Sequence, residues 1–382
     1  MKKNKLKKIA CFILFLNIAS CSRLKTGIVD KMMPSLSSGT SNTCSISSAG
    51  ELKCWGTNSY GQIGDGTTST SNVPLAADIG TNYRQIDITY YSACGITTTD
   101  VLKCWGFNSN GQVGNGSLTS QPTPTVIDQT EKYSFVDKGT TTTCGITTTG
   151  SLKCWGGNSY GQIGDGTTVD RSSPTIVDSG TIYSSVSSGT YHTCGITTAG
   201  VLKCWGRNTW GQLGDGTTTD LLSPTVIDSG VFYSQVSMGR GYSCGITTAG
   251  VLKCWGYNGV GNIGNGTTSN QLTPQAIDET MKYKQISTGD GGHTCGITTT
   301  GVLKCWGYNN HGQIGNSSTT NQLSPVIIDE GISYLRISGG ASHTCGITAA
   351  GILKCWGENT SSQLGDGSTT EKTSPNVVNW NP

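Results

Sequence analysis

Sixteen cysteines, four histidines and a recurring Gly-Asp-Gly-Thr run are the residues of this 382-residue chain best suited to chemistry. Fourteen of the cysteines form seven pairs ten positions apart: Cys44 and Cys54, Cys94 and Cys104, Cys144 and Cys154, Cys194 and Cys204, Cys244 and Cys254, Cys295 and Cys305, Cys345 and Cys355. Each second cysteine opens a Cys-Trp-Gly tripeptide. Such pairs can be disulfides, buried free thiols or halves of zinc sites. Zinc needs four ligands, and no Cys-x-x-Cys or paired histidine accompanies these cysteines, so no metal and no cofactor is expected. Asp65, Asp165, Asp215 and Asp366 invite a calcium reading, but Asn115, Asn265 and Asn316 hold the same slot in other copies and EF-hand spacing is absent. Turn formation is the expected role. His192, His293 and His343 share one repeat slot, which points to architecture before acid or base catalysis. Asp220, Asp290 and Glu358 remain as loose carboxylate candidates for a glycosidase or lyase.

The pairs recur every 50 residues, with one step of 51 between Cys254 and Cys305. Seven tandem supersecondary units follow. Each reads as four short strands; in the fourth unit these are Tyr183–Ser187, Thr193–Thr197, Val201–Trp205 and Pro224–Ile227. Only Thr198, Ala199 and Gly200 separate the second from the third, so the two form a hairpin. Its last loop residue needs a left-handed backbone, which Gly supplies in six units and Asp100 in the other. That register sets Cys194 opposite Cys204 and Ile196 opposite Leu202, within disulfide reach.

The N-terminus settles the redox compartment. MKKNKLKK carries five lysines, the apolar run Ile9–Ser20 follows, and Ile18-Ala19-Ser20-Cys21 resembles a bacterial lipoprotein processing site. A membrane-spanning helix is the competing reading, yet the run is about half of the roughly 20 residues a span needs. Residues 1–20 are therefore expected to be a lipoprotein signal peptide, with Cys11 leaving in it. Cys21 is expected to carry the lipid and residues 21–33 to form a tether; the alternative leaves Cys21 an odd thiol. An exported chain meets oxidising conditions, and seven disulfides follow. The expected location is the bacterial cell envelope, periplasmic or surface-exposed. Without residues 1–20 the charge falls from +2 to −3, with 20 basic against 23 acidic residues. No basic stripe remains, and no nucleic-acid partner is expected.

Seven antiparallel sheets can bury both faces by radial stacking, which predicts an all-β, seven-bladed propeller of four-stranded blades over residues 34–382. Trp55, Trp105, Trp155, Trp205, Trp255, Trp306 and Trp356 then pack between blades, and the lysine before each second cysteine lays its stem along the blade with its amine in water.

The run TCGITTAGVLKCWGRNTWGQLGDGT, with Ser-x-Gly before it and Ser-Pro-x-x-Val after it, resembles the repeat of the regulator of chromosome condensation family, RCC1. Asn262 in place of Gln, Ser362 in place of Gly and Thr89 in place of Gly depart from the pattern. The resemblance implies a propeller closed by pairing the two chain ends, with Gly27 to Leu36 starting the ring. It also implies guanine-nucleotide exchange and chromatin binding, which an exported, slightly acidic lipoprotein is not expected to perform.

Function is expected where the seven copies differ. The loops after the first and third strands share one face and carry Tyr60, Tyr91, Phe107, Tyr160, Tyr191, Arg207, Trp210, Tyr242, Tyr257, Tyr308 and His311. Aromatic residues among Ser, Thr, Gly and Asn suit protein recognition. The expectation is a non-catalytic, monomeric propeller that binds a protein through this face. Glycan binding or polysaccharide cleavage is the alternative.

Overall fold

The computed structural model describes residues 35–380, so the expected signal peptide, Cys21 and the tether lie outside the described residues. Within them are 28 strands in seven four-stranded antiparallel sheets and no helix. The chain is a seven-bladed β-propeller. In each blade the four strands lie in chain order, and the first strands line a central channel.

Blade four shows how the repeat folds. Its strands are Tyr183–Ser188, His192–Thr197, Leu202–Gly206 and Leu221–Val226. The hairpin register is the expected one, Cys194 opposite Cys204 and Ile196 opposite Leu202. All seven cysteine pairs are disulfides, with Cα atoms 4.1 Å apart in Cys194–Cys204. Each closes a short loop, worth about 2–3 kcal/mol. The fourth strand differs from expectation, starting at Leu221 and bulging between Cys204 and Gly206 of its neighbour. Proline lacks an N–H, but the outermost strand has an unpaired edge and tolerates Pro224 in its interior.

A tyrosine opens the first strand of blades two to seven and is buried. Its ring lies under the glycine of Cys-Gly-Ile-Thr: a Cβ on Gly195 would stand 2.7 Å from Tyr183. Blade one has Ser45 there and no such tyrosine among the described residues; Ser45 instead donates to the Ser35 carbonyl at 3.0 Å.

The lysine expectation is corrected. Lys203 Nζ does not end in water but lies 2.6 Å from Asp178 Oδ2, and the same pair recurs as Lys103–Asp78, Lys153–Asp128, Lys253–Asp228, Lys304–Asp278 and Lys354–Asp329. Each aspartate sits in the turn between blades with a left-handed backbone and also accepts from the tyrosine hydroxyl that follows it. Burial alone would raise Asp128, Asp178 and Asp278, but the lysine and tyrosine bonds outweigh it and hold these carboxyls below their ordinary range. Among the described residues six such clasps join consecutive blades.

Ring closure is also corrected. Among the described residues no sheet mixes the two ends, and Gly27 to Pro34 of the expected closing segment lie outside them; the first strand of blade one is Ser35–Ser38, and the last of blade seven is Lys372–Val377. Unit one carries its own first strand, so sequence repeat and blade coincide and the ring closes by packing. Trp55 enters the blade-seven core beside Trp380 and Leu36, its Nε1 donating to the Gln363 carbonyl at 2.9 Å. Lys53 Nζ donates to the Trp380 carbonyl at 2.9 Å across the same closure.

Around the channel runs a belt absent from the sequence reading. The side chain at one first-strand position, Ser37, Asp87, Asp137, Ser187, Ser237, Ser287 or Ser338, accepts a backbone N–H from the next blade. The last of these, Ser38 N to Ser338 Oγ at 2.8 Å, spans the closure.

Candidate functional site

The long loop after each third strand is organised by an asparagine present in all seven copies and a glutamine that Asn262 alone replaces. In blade four, Asn208 Oδ1 accepts from Leu213 N at 2.9 Å while its Nδ2 donates to Asp215 at 3.0 Å and to the Thr217 carbonyl at 3.1 Å. Gln212 Oε1 accepts from Trp210 N at 2.9 Å, and the Gln212 carbonyl accepts from Trp255 Nε1 of the next blade at 2.9 Å. Gly214 has a left-handed backbone, and a Cβ there would meet that indole nitrogen at 2.7 Å. Loop and neighbouring blade are thus one rigid unit, and the two variable positions, 207 and 210 here, are held on its outside.

The aspartates considered for calcium are turn acceptors. Asp65 and Asp215 take the amides of Thr67 and Thr217 at 3.0 and 2.9 Å, Asp366 takes that of Ser368 at 3.0 Å, and Asp165 adds an ion pair with Arg171 at 2.6 Å.

The variable residues form two aromatic groups. On blades one and two, Tyr60 lies 4.8 Å from Tyr91 and 4.7 Å from Phe107 between ring centroids, and Tyr90 stands edge-on against Tyr91 at 3.8 Å. On blades three to six, Tyr160 meets Tyr191 at 5.2 Å, and the Arg207 guanidinium lies 4.8 Å from Tyr160, 5.1 Å from Tyr191 and 5.1 Å from Trp210. Such cation–π contacts hold the arginine in place. Trp210 leads on to Tyr257 at 5.6 Å, and beyond it Tyr308 lines a cavity of about 360 Å³. His311 is apart from these rings, its Nδ1 2.8 Å from Glu371 Oε1.

Tyr242 differs from the other ten. It is 1% exposed, and its hydroxyl donates to the His293 carbonyl at 2.6 Å. It occupies the second-strand slot held by His192, His293 and His343, so it forms cavity floor and core. Those histidines are fully buried, with Nε2 against Ser243, Thr344 and Thr43 of the following blade at 2.8, 2.9 and 2.9 Å. Each of those hydroxyls spends its proton on a backbone carbonyl, so Nε2 carries the hydrogen and donates. Burial pushes His192, His293 and His343 down to about 3, 4 and 3. The Ser-x-Gly glycine makes room for the ring: a Cβ on Gly289 would stand 2.3 Å from His293.

The loose carboxylates do not converge. Asp220 accepts from Asn208 N at 2.7 Å, Glu358 from Thr360 Oγ1 at 2.9 Å, and Asp290 from Thr190 Oγ1 at 3.5 Å at the channel mouth. The acids that do approach one another, Asp87 and Asp137, went unremarked in the sequence because they replace serine in the channel belt. Burial raises both carboxyls, and Asp87 raises Asp137 further; burial likewise pushes neighbouring Lys138 down to about 7. Lys138 Nζ donates to Thr143 Oγ1 at 2.8 Å, between blades two and three.

Comparison with known proteins places this architecture. Two models of the regulator of chromosome condensation (RCC1) repeat match, one at residues 35–62, 183–212, 283–313 and 335–363, the other at 104–152, 149–196, 200–246 and 301–347. The fold resembles human WBSCR16 at 21% identity and TM-score 0.77, covering 86% of this chain and 94% of that one. It also resembles yeast RCC1 (Prp20) bound to Kap60, at 16% identity, TM-score 0.77 and coverage of 87% and 84%. The ectodomain of the Physcomitrella patens receptor kinase CR4 is a more distant likeness, at 18% identity, TM-score 0.56 and coverage of 85% and 73%. A search of curated proteins finds no match. Since the repeat matches together span more than half of its length, the chain belongs to the RCC1 repeat family.

Proposed function

We propose that this protein is a lipid-anchored, non-catalytic propeller of the bacterial cell envelope, monomeric, that binds another protein through its variable loop face. The observation that carries this reading is the run of half-exposed rings from Tyr160 to Tyr308, with Arg207 stacked among them and a cavity beside them. Aromatic and arginine side chains on a rigid support lose little entropy on binding and dominate the energetics of protein interfaces. Yeast Prp20 was solved with Kap60 and is described as binding Gsp1p and histones, so protein recognition has precedent on this fold. Nucleotide exchange is not proposed for an exported chain.

The topology suits a tether at Cys21. In every blade the first strand runs towards the variable face and the fourth runs away from it, so Ser35 and Trp380 both lie on the opposite face.

The test is in-cell crosslinking followed by pull-down, comparing wild type with a Trp210→Ala, Tyr257→Ala double variant of unchanged melting temperature. The double variant is expected to lose the recovered partner by at least about tenfold; equal recovery sinks the proposed face. Mass spectrometry of the mature protein is expected to find a diacylglyceryl group on Cys21, and an unmodified thiol removes the anchor. Turnover of a polysaccharide by purified protein would favour the enzymatic alternative.

A further inference from the structure

The cavity of about 360 Å³ lies between blades five and six, with walls of Trp210, Tyr257, Val260 and Tyr308. That volume is within the range of functional pockets. Two glycines stand at its edge where blades two and four carry a large ring. Gly241 and Gly292 occupy the loop position that carries Tyr91 in blade two and Tyr191 in blade four. The single 51-residue step of the repeat also falls here, since the loop Gly289-Asp290-Gly291-Gly292 is one residue longer than Gly239-Arg240-Gly241. A one-residue insertion and two glycines therefore converge on one opening.

Charge narrows what could fill it. Arg240 is exposed at the rim and makes no ion pair among the described residues. Arg207, on the far side of Trp210, is held over aromatic rings and has Thr209 Oγ1, at 3.1 Å, as its side-chain hydrogen-bond partner. The one acid lining the cavity, Asp290, bonds to Thr190 across the channel mouth. Two guanidinium groups thus flank an apolar opening; neither forms an ion pair among the described residues, and Arg240 acts on Asp290 only through its charge. A sugar would need a fan of amides and carboxylates for its hydroxyls, and the lining has no Asn or Gln. Resting on the protein-binding reading above, we propose that the cavity takes an aromatic or branched apolar side chain from an acidic segment of the partner, whose flanking carboxylates pair with Arg207 and Arg240. The apolar anchor supplies the buried area, and the arginines select its neighbours and steer the approach.

The test uses a defined probe, the fluorescein-labelled peptide Gly-Glu-Glu-Phe-Glu-Glu-Gly, titrated to millimolar protein by fluorescence polarisation. Controls carry alanine for phenylalanine or lysine for glutamate. The parent peptide is expected to bind at least about tenfold tighter than either control, more weakly as salt rises, and about tenfold more weakly to Trp210→Ala or Arg240→Ala. Arg240 is exposed, so its variant reports on binding without a folding cost. Equal binding of all three peptides, no binding of the parent, or indifference to both variants overturns the proposal. If the cellular partner is lost with Trp210→Ala but kept by Arg207→Glu with Arg240→Glu, the acidic segment is wrong and the protein-binding face stands. If it is kept by all of them, the face itself is wrong.

Discussion

The two aromatic groups on the variable face occupy equivalent repeat positions and end differently. On blades one and two, Tyr60, Tyr90, Tyr91 and Phe107 fill the space between the loops with their own rings, at centroid distances from 3.8 to 5.7 Å. On blades five and six the position of Tyr91 is Gly241 or Gly292, and the rings that remain line an open cavity. One group satisfies itself; the other leaves apolar area for something else to cover. Loop variability thus has two meanings on one scaffold, and only the second points to recognition.

The largest effect should separate both groups from the frame beneath them. Trp105 is fully buried, its Nε1 donating to the Gln62 carbonyl at 3.0 Å. Trp105→Ala is expected to cost about 3–5 kcal/mol in urea unfolding, whereas Trp210→Ala should stay within about 1 kcal/mol. Equal losses would make Trp210 a core residue and remove the contrast.

An exchange between the groups should have a smaller effect and is more telling. Tyr91→Gly removes three ring contacts and is expected to cost about 2 kcal/mol. It should also open a site that an apolar dye can enter. Gly241→Tyr should do the reverse: its Cβ would meet the Trp210 ring at 2.4 Å, but Trp210 is half-exposed and can swing outward. Dye binding at blades five and six should fall with little change in stability. If Gly241→Tyr leaves dye binding intact, the cavity is not what distinguishes the two groups.

How much of this was legible in the sequence depended on how far apart the partners are. The Cys194–Cys204 register followed from a three-residue turn, because hairpin geometry is local. Lys203 was misread because its partner, Asp178, lies 25 residues back across a blade boundary. The channel belt was hidden because its partners, such as Ser187 and Met238, are 51 residues apart. Tyr242 was read as a face residue, although its alignment with His192 placed it in the core. The cavity did leave a signal, the lone 51-residue step, which reads as noise in the period until the loop that absorbs it is seen to border Trp210.

Acid should divide the same two halves of the ring. The slot behind each first loop is Asn42, Ser92 or Thr142 in blades one to three, and His192, Tyr242, His293 or His343 in blades four to seven. Burial depresses the three histidines to about 3, 4 and 3 in the fold, against 6.5 ordinarily. Below pH 6.5 the unfolded chain therefore takes up protons that the folded one refuses, and stability falls as pH falls towards 4. Each histidine contributes about 1 kcal/mol per pH unit in that window. Asp137, raised by burial and by Asp87, acts in the opposite sense, and the lowered Asp128, Asp178 and Asp278 act in the same sense near the acid end, so the whole protein mixes these effects. The difference between wild type and His293→Asn isolates it, because asparagine already fills this slot in blade one. The variant is expected to start less stable at pH 7.5 and to lose ground to acid more slowly between pH 6.5 and 4.5. Parallel melting curves across that range would mean that His293 is not held neutral behind the cavity.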